Sequence, residues 1–101
     1  MAIVKGTPDV VFAKSKKSFV LSTQPNPFIE KISVSLQMER SEMVTVRLSD
    51  MRGNLVRKVQ QMGQPGFSTI TINDLSTLSQ GVYLVEIVKG NERIKEKLIK
   101  R

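Results

Sequence analysis

The chain has 101 residues, a length that predicts one domain with one modest core. Hydrophobic residues make up 40% of the chain and charged residues 25%, as in ordinary globular proteins, which argues against disorder. Because cysteine, histidine and tryptophan are all absent, disulfides, thiolate ligands and imidazole chemistry are excluded, and we expect no catalytic residue, metal or cofactor.

The net charge of +7 is concentrated at the two ends of the chain. Residues 1–24 and residues 91–101 each carry a net charge of +3, whereas the residues between them carry only +1. Binding of single-stranded RNA normally also uses exposed aromatic side chains, but the four phenylalanines lie in apolar or turn contexts. Nucleic-acid binding is therefore the weaker interpretation, testable by the salt dependence of affinity, and solvated basic ends are the stronger one.

No segment of the sequence predicts insertion into a membrane. The longest apolar runs, such as Val10–Ala13 and Val82–Val85, hold four residues, whereas a membrane-spanning helix needs about 20. The first residues, Met1–Gly6, also lack the apolar stretch of a secretory signal. We expect either a protein that stays inside the cell or a fragment of something larger.

The first half of the chain predicts short strands, because apolar and polar residues alternate with a period of two. Val10–Ala13 and Ser18–Leu21 are candidate first strands. Alternation is clearest in Lys31–Met38 and Met43–Ser49, and the polar segment Glu39–Glu42 between them has the length of a hairpin turn. This half therefore predicts a hairpin preceded by one or two strands.

The second half continues the strand pattern, although its first strand is weak because Leu55, Val56 and Val59 do not share one parity. Gly63–Gly66 is a strong breaker, and Gly90-Asn91 predicts a tight turn before an edge-like last strand. The strands predicted here are Leu55–Gln61, Phe67–Ile72, Val82–Val88 (a central strand covered on both sides or at both ends) and Arg93–Lys100. About seven short strands without a helix predict an all-β fold, an antiparallel β-sandwich, with a partly open barrel as the alternative.

Three turn or loop features have a physical interpretation of their own. Pro25-Asn26-Pro27-Phe28 is rigid at two φ angles and delivers a phenylalanine to cap the core. Asp50 is placed to accept backbone N–H bonds in a turn where Gly53 supplies a left-handed residue. After Gly81, we expect Tyr83 to bury its ring and to donate its hydroxyl to a nearby loop backbone.

Taken in order, these segments resemble the C-terminal sorting domain of cargo proteins of the type IX (Por) secretion system in Bacteroidetes. The resemblance covers about residues 22–101 and rests on Pro25-Asn26-Pro27-Phe28, Val44–Gly53, Leu78–Val85 and Lys97–Ile99. One departure is the polar and basic strand that follows Gly53. The motif residues are Pro25, Asn26, Pro27, Phe28, Asp50, Gly53, Gly81 and Tyr83.

The resemblance implies an immunoglobulin-like sandwich at the end of a larger secreted protein, with no catalysis of its own. It implies a passenger protein N-terminal to the domain, export through the periplasm, recognition by the outer-membrane translocon and removal by a surface sortase that attaches the cargo to the cell surface. Residues 1–21 would then be the linker end with the first strand or strands, and residues 22–101 the sorting domain. The alternative is an extracellular immunoglobulin-like module that binds carbohydrate or protein, although the absence of tryptophan counts against a sugar site.

The last strand carries our hypothesis for recognition, because residues 91–101 hold a net charge of +3. We expect the Gly90–Arg101 hairpin edge to be read by strand pairing or by an acidic groove, and deletion of Lys97–Arg101 to abolish export while leaving most of the fold. A structural alternative is that lysines on an edge strand prevent pairing with other chains. The residues proposed for recognition are Lys95, Lys97, Leu98, Ile99, Lys100 and Arg101.

Overall fold

The computed structural model of the chain describes residues 19–101, which form seven β-strands and no helix. The strands are β1 (Val20–Gln24), β2 (Ile32–Met38), β3 (Glu42–Asp50), β4 (Leu55–Gly63), β5 (Gly66–Ile72), β6 (Gly81–Lys89) and β7 (Glu92–Lys100). They build a three-stranded sheet in the order β1-β2-β5 and a four-stranded sheet in the order β4-β3-β6-β7, with antiparallel pairing throughout. The prediction of an all-β antiparallel sandwich is confirmed, the immunoglobulin-like subtype stays a prediction, and the candidate strand Val10–Ala13 lies outside the described residues.

The core lies between the two sheets and is built from alternate residues of their strands. As the period of two predicts, β2 and β3 each bury one face, formed by Ile32, Val34, Leu36, Met38, Val44, Val46 and Leu48. β6 is central in its sheet, as predicted, with β3 on one side and β7 on the other. Only one of its faces is fully buried, because the face that carries Leu84 and Glu86 points away from the other sheet and is half-buried.

The mixed parity of β4 has a local cause in the pairing with β3. Leu48 pairs with Arg57 and Ser49 with Leu55, so the register shifts by one residue at Val56. The extra residue lets both Val56 and Val59 pack against the core despite their different parity. The weakness of this strand in the sequence therefore reflects an irregularity in the ladder.

The connection between β2 and β3 differs from the prediction. Glu39–Glu42 has hairpin length, but β2 and β3 belong to different sheets, so this segment connects one sheet to the other and the hairpin interpretation is wrong. Two strands that each bury one whole face are stabilised equally well by facing each other across a core. The tight turn at Gly90-Asn91 is confirmed, with a φ of +59° at Gly90, and it makes β6 and β7 a hairpin.

Candidate functional site

The motif segments, far apart in the sequence, meet at one end of the sandwich. Tyr83 pairs with Asp50 of β3 on one side and with Leu98 of β7 on the other. Phe28 forms a parallel bridge with Lys100 at the same end. The end of β7 is therefore surrounded by the residues that carried the family resemblance.

The segment Pro25–Phe28 closes the outer edge of β7 over its last residues. The Ile99 N–H donates to Oδ1 of Asn26 (2.9 Å), and the Phe28 N–H donates to the Ile99 carbonyl (2.8 Å). The Arg101 N–H donates to the Phe28 carbonyl (3.0 Å). We call Asn26, Phe28, Ile99 and Arg101 the terminal clasp. Because proline has no N–H, only Asn26 and Phe28 of this segment have a backbone N–H to donate to this edge. The backbone carbonyls and the side-chain amide oxygen of Asn26 are the acceptors.

Phe28 anchors the clasp in the core. Its ring is fully buried and meets the ring of Tyr83 edge-on, with 5.9 Å between ring centroids and an interplanar angle of 67°. The hydroxyl of Tyr83 donates to the Ser79 carbonyl at 2.7 Å, which confirms the expected loop contact. A similar contact occurs in the tyrosine corner of immunoglobulin-like sandwiches, a subtype that stays a prediction for this chain. The aromatic pair therefore joins the clasp to the connection between β5 and β6.

The turn that starts at Asp50 joins β3 to β4 at the same end of the sandwich as the clasp. Oδ1 of Asp50 accepts the N–H groups of Arg52 and Asn54 at 2.9 Å each, and Oδ2 accepts the Asn54 amide at 3.1 Å. Gly53 has a φ of +92°, a region that favours glycine, so its predicted left-handed role is confirmed. The Asn54 N–H bond is the largest cause of a lowered pKa at Asp50. Desolvation opposes it as the second-largest effect, and the Asn54 side-chain amide and Arg52 lower the pKa further.

Gly81 begins β6 with a φ of +146° and pairs with Lys100 of β7. A Cβ added there would meet no atom within 4 Å, so a side chain would be excluded by backbone conformation and not by space. This glycine lets the loop before Tyr83 turn sharply into the ladder that holds the end of β7.

The six residues proposed for recognition do not lie on one surface. Leu98 is 2% exposed and Lys100 is 4% exposed, because both point between the sheets. The Lys100 ammonium donates to the main-chain oxygen of Arg101 at 2.7 Å. The expectation that Leu98 and Lys100 touch a receptor is therefore corrected, since the fold buries both side chains. Lys95, Lys97, Ile99 and Arg101 remain exposed.

Sequence reasoning missed several partners of these residues. Asn26 lies 73 residues from Ile99, and nothing in the local pattern links an amide after a proline to the last strand. Ser79 acts through its carbonyl, which every residue has, so its identity carries no signal. Glu86 forms ion pairs with Arg93 of β7 (3.1 Å) and Arg47 of β3 (3.6 Å), and only the pairing register of the sheet reveals them.

The family of this chain follows from a match that begins within β1 and covers the other six strands and the clasp. Residues 22–101 match the family model of the secretion system C-terminal sorting domain. The chain belongs to this family. No curated protein matches it significantly.

A sorting domain of this family acts with the type IX secretion machinery on a cargo protein destined for secretion or the cell surface. Such sorting domains are generally without catalytic activity. Within residues 19–101, no helix is suited to crossing a bilayer, and no three His, Cys, Asp or Glu side chains form a cluster suited to a metal ion.

Proposed function

We propose that residues 22–101 are the non-catalytic sorting signal of a larger cargo protein. The outer-membrane translocon of the type IX system reads this sorting domain after export to the periplasm, and a surface sortase then removes it and attaches the cargo to the cell surface. The observation that carries the proposal is the family match over residues 22–101. The passenger lies N-terminal to the domain, and the cargo becomes secreted or displayed on the surface.

The fold suits a sorting domain that is cleaved from its passenger protein. The two sheets enclose a core formed among residues 19–101, so the sorting domain has a hydrophobic core to which no passenger residue contributes. Phe19 is buried and its carbonyl accepts the Gln37 N–H at 2.8 Å, so the start of the sandwich is fixed to β2. A cut after this point would leave a buried side chain and a piece of β1 on the cargo. We therefore place the sortase cut before Phe19, in the linker end.

The surface that the translocon reads lies on β7. The exposed side chains there are those of Glu92, Arg93, Lys95, Glu96, Lys97 and Ile99, and the Arg101 side chain is exposed just beyond the strand. Deletion of Lys97–Arg101 would remove buried Leu98 and half of the terminal clasp together with the charges. The deletion would thus disturb fold and recognition at once, and point substitutions at exposed positions are the sharper test.

The test is a transport experiment in a bacteroidete that has this secretion system. Residues 1–101 are fused behind a signal peptide and a fluorescent reporter, and the fusion is followed in the parent strain and in strains that lack the sortase or the translocon. We expect reporter at the surface, shortened by about the mass of the sorting domain only when the sortase is present. Mass spectrometry of the released fragment should place its first residue at or before Phe19.

Two other results of this experiment would contradict the proposed function or the proposed position of the cut. A reporter that stays in the periplasm of every strain would overturn the sorting function for this chain. The immunoglobulin-like binding module for carbohydrate or protein would then be the leading interpretation. A released fragment that begins inside β1 would leave the sorting function in place and overturn the proposed position of the cut.

A further inference from the structure

The outer edge of β7 has a closed part and an open part. The terminal clasp occupies the edge at Ile99 and Arg101. Among residues 19–101, β7 pairs only with β6, apart from the bridge between Phe28 and Lys100. From Glu92 to Leu98, the outer edge therefore has no strand partner in the described part of the chain.

Three residues of the open part direct their backbone N–H and carbonyl groups away from β6. Ile99 gives both its N–H and its carbonyl to the clasp, which lies on the side away from β6. The β6–β7 ladder runs from Lys89↔Glu92 to Gly81↔Lys100 without a register shift. In an antiparallel ladder, alternate residues direct both backbone groups to the same side. Arg93, Lys95 and Lys97 therefore direct their N–H and carbonyl groups outward, and we call these three residues the open edge.

The side chains of the open edge carry positive charge that the fold balances only in part. Their parity is opposite to that of buried Leu98, so they lie on the outer face of the sheet. Arg93 shares the carboxylate of Glu86, with Nε 3.1 Å from Oε2. Lys95 and Lys97 form no ion pair among residues 19–101. Unpaired backbone groups and unbalanced cations thus coincide at the same residues.

We propose that the open edge binds an extended acidic peptide segment of a partner protein as an added antiparallel strand. The proposal rests on the proposed sorting function, for which it supplies the way the machinery reads β7. Side chains directly opposite each other on neighbouring strands lie about 5 Å apart at Cβ, so carboxylates at alternate partner positions would face Arg93, Lys95 and Lys97. The positions between them would face Ile94, Glu96 and Leu98 and would be neutral or apolar.

The length and charge of the open edge select this occupant over a second copy of the chain. Pairing β7 with β7 would place basic side chains opposite basic side chains, which destabilises neighbouring strands. The clasp at one end and the Gly90-Asn91 turn at the other limit the added strand to roughly seven residues, the span from Glu92 to Leu98. A short acidic strand satisfies both the limit on length and the need for a charge opposite to that of the open edge.

The first test measures binding of labelled peptides to the full chain by fluorescence anisotropy. The probe is a seven-residue peptide with the order Thr-Glu-Val-Glu-Val-Glu-Thr, and the control has the same composition with its three glutamates adjacent. We expect the alternating peptide to bind more tightly than the control by about fivefold or more, because only its carboxylates match the spacing of the open edge. Methylation of the glutamate backbone nitrogens should abolish binding, whereas methylation of the valine nitrogens should not, because alternate N–H groups face β7.

The second test changes the protein. We expect Lys95→Ala and Lys97→Ala each to weaken binding about twofold to fivefold, and the double charge reversal Lys95→Glu with Lys97→Glu to weaken it about tenfold or more. Lys58→Ala is the matched control, because Lys58 pairs with Arg47 on the same outer face but at the opposite edge of the sheet. Lys95→Pro should also abolish binding while the protein stays folded, since it removes an N–H that does not bond to β6.

The outcomes separate this inference from the proposed function. If the alternating peptide binds no better than its control, or if the double charge reversal binds it as well as the parent chain does, the added strand is wrong. If the parent reporter and the double charge reversal both reach the cell surface, the machinery does not read the open edge, and the sorting function stands without it. If the parent reporter is not exported, the sorting function itself fails, whatever the peptides do.

Discussion

The two halves of β7 differ sharply although both contain lysine. In the first half, Lys95 and Lys97 are exposed, and the outer edge has no strand partner among residues 19–101. In the second half, Leu98 and Lys100 are buried and Ile99 gives its backbone groups to the terminal clasp. One basic strand therefore has a displayed half and a closed half.

This difference shows that the C-terminal motif is not uniform in burial or in backbone pairing. The closed half holds Phe28 against Tyr83 and so joins the first motif of the chain to the last. In the displayed half, Ile94 packs against the core, whereas the side chains of Lys95 and Lys97 are exposed to water. Substitutions along β7 should therefore affect stability or recognition according to the half in which they fall.

The largest expected effect on the closed half comes from Leu98→Ala. Leu98 is 2% exposed and belongs to the core, so we expect a loss of about 2–5 kcal/mol in the free energy of unfolding. Urea unfolding followed by circular dichroism measures this loss, with Ile99→Ala at the exposed neighbouring position as the control. A loss below about 1 kcal/mol would contradict the structural role assigned to this half.

A smaller loss is expected from Asn26→Ala, which removes the side-chain acceptor of the clasp. The Ile99 N–H would then lose its protein partner, and the free energy of unfolding should fall by about 0.5–1.5 kcal/mol. Hydrogen exchange of the Ile99 amide should be faster than in the parent chain. Asn73→Ala is the control, because Asn73 is exposed and its side chain forms no hydrogen bond within the described residues. Equal exchange in both variants would mean that the clasp does not close the edge in solution.

The Asp50 turn adds a pH dependence at the clasped end. The lowered pKa of Asp50 means that the fold favours the ionised carboxylate. Its contribution to the free energy of unfolding is therefore fully present above the ordinary pKa of about 3.9. That contribution is lost as the pH falls further, through the lowered pKa of the folded state. We expect the parent chain to melt above Asp50→Asn at pH 6 and the gap to narrow below about pH 4.

Thermal unfolding between pH 7 and pH 2.5 checks this expectation. Asp74→Asn is the control, because the Asp74 carboxylate forms no hydrogen bond or ion pair among residues 19–101 and its φ of +62° is tolerated by asparagine. A constant difference between the parent chain and Asp50→Asn over the whole pH range would show that the charge of Asp50 does not stabilise the turn.

The fold and parts of the site were predictable wherever a local rule decides the outcome. Alternation alone predicted the buried faces of β2 and β3, and the position of Tyr83 after a loop predicted its hydroxyl contact. Turn length did not reveal that Glu39–Glu42 crosses between the sheets, because pairing depends on contacts far along the chain. The bond from Ile99 to Asn26 was out of reach for the same reason.

The burial of Lys100 was within reach of the sequence. A strand in which Leu98 points inward must direct the residue two positions later to the same face. The charge of the lysine suggested exposure, but the backbone parity decided its position, and the Arg101 main-chain oxygen accepts its ammonium. Parity is therefore a better guide than residue type at the end of an edge strand.

The smallest effect on stability is expected next to the largest one, at Lys97. Lys97→Ala removes an exposed side chain that forms no ion pair within residues 19–101, so the free energy of unfolding should change by no more than about 0.5 kcal/mol. The same urea titration that measures Leu98→Ala measures this variant. If Lys97→Ala destabilises the fold by more than about 1 kcal/mol, the displayed half also holds the sandwich together, and reduced export of its variants would no longer report recognition alone.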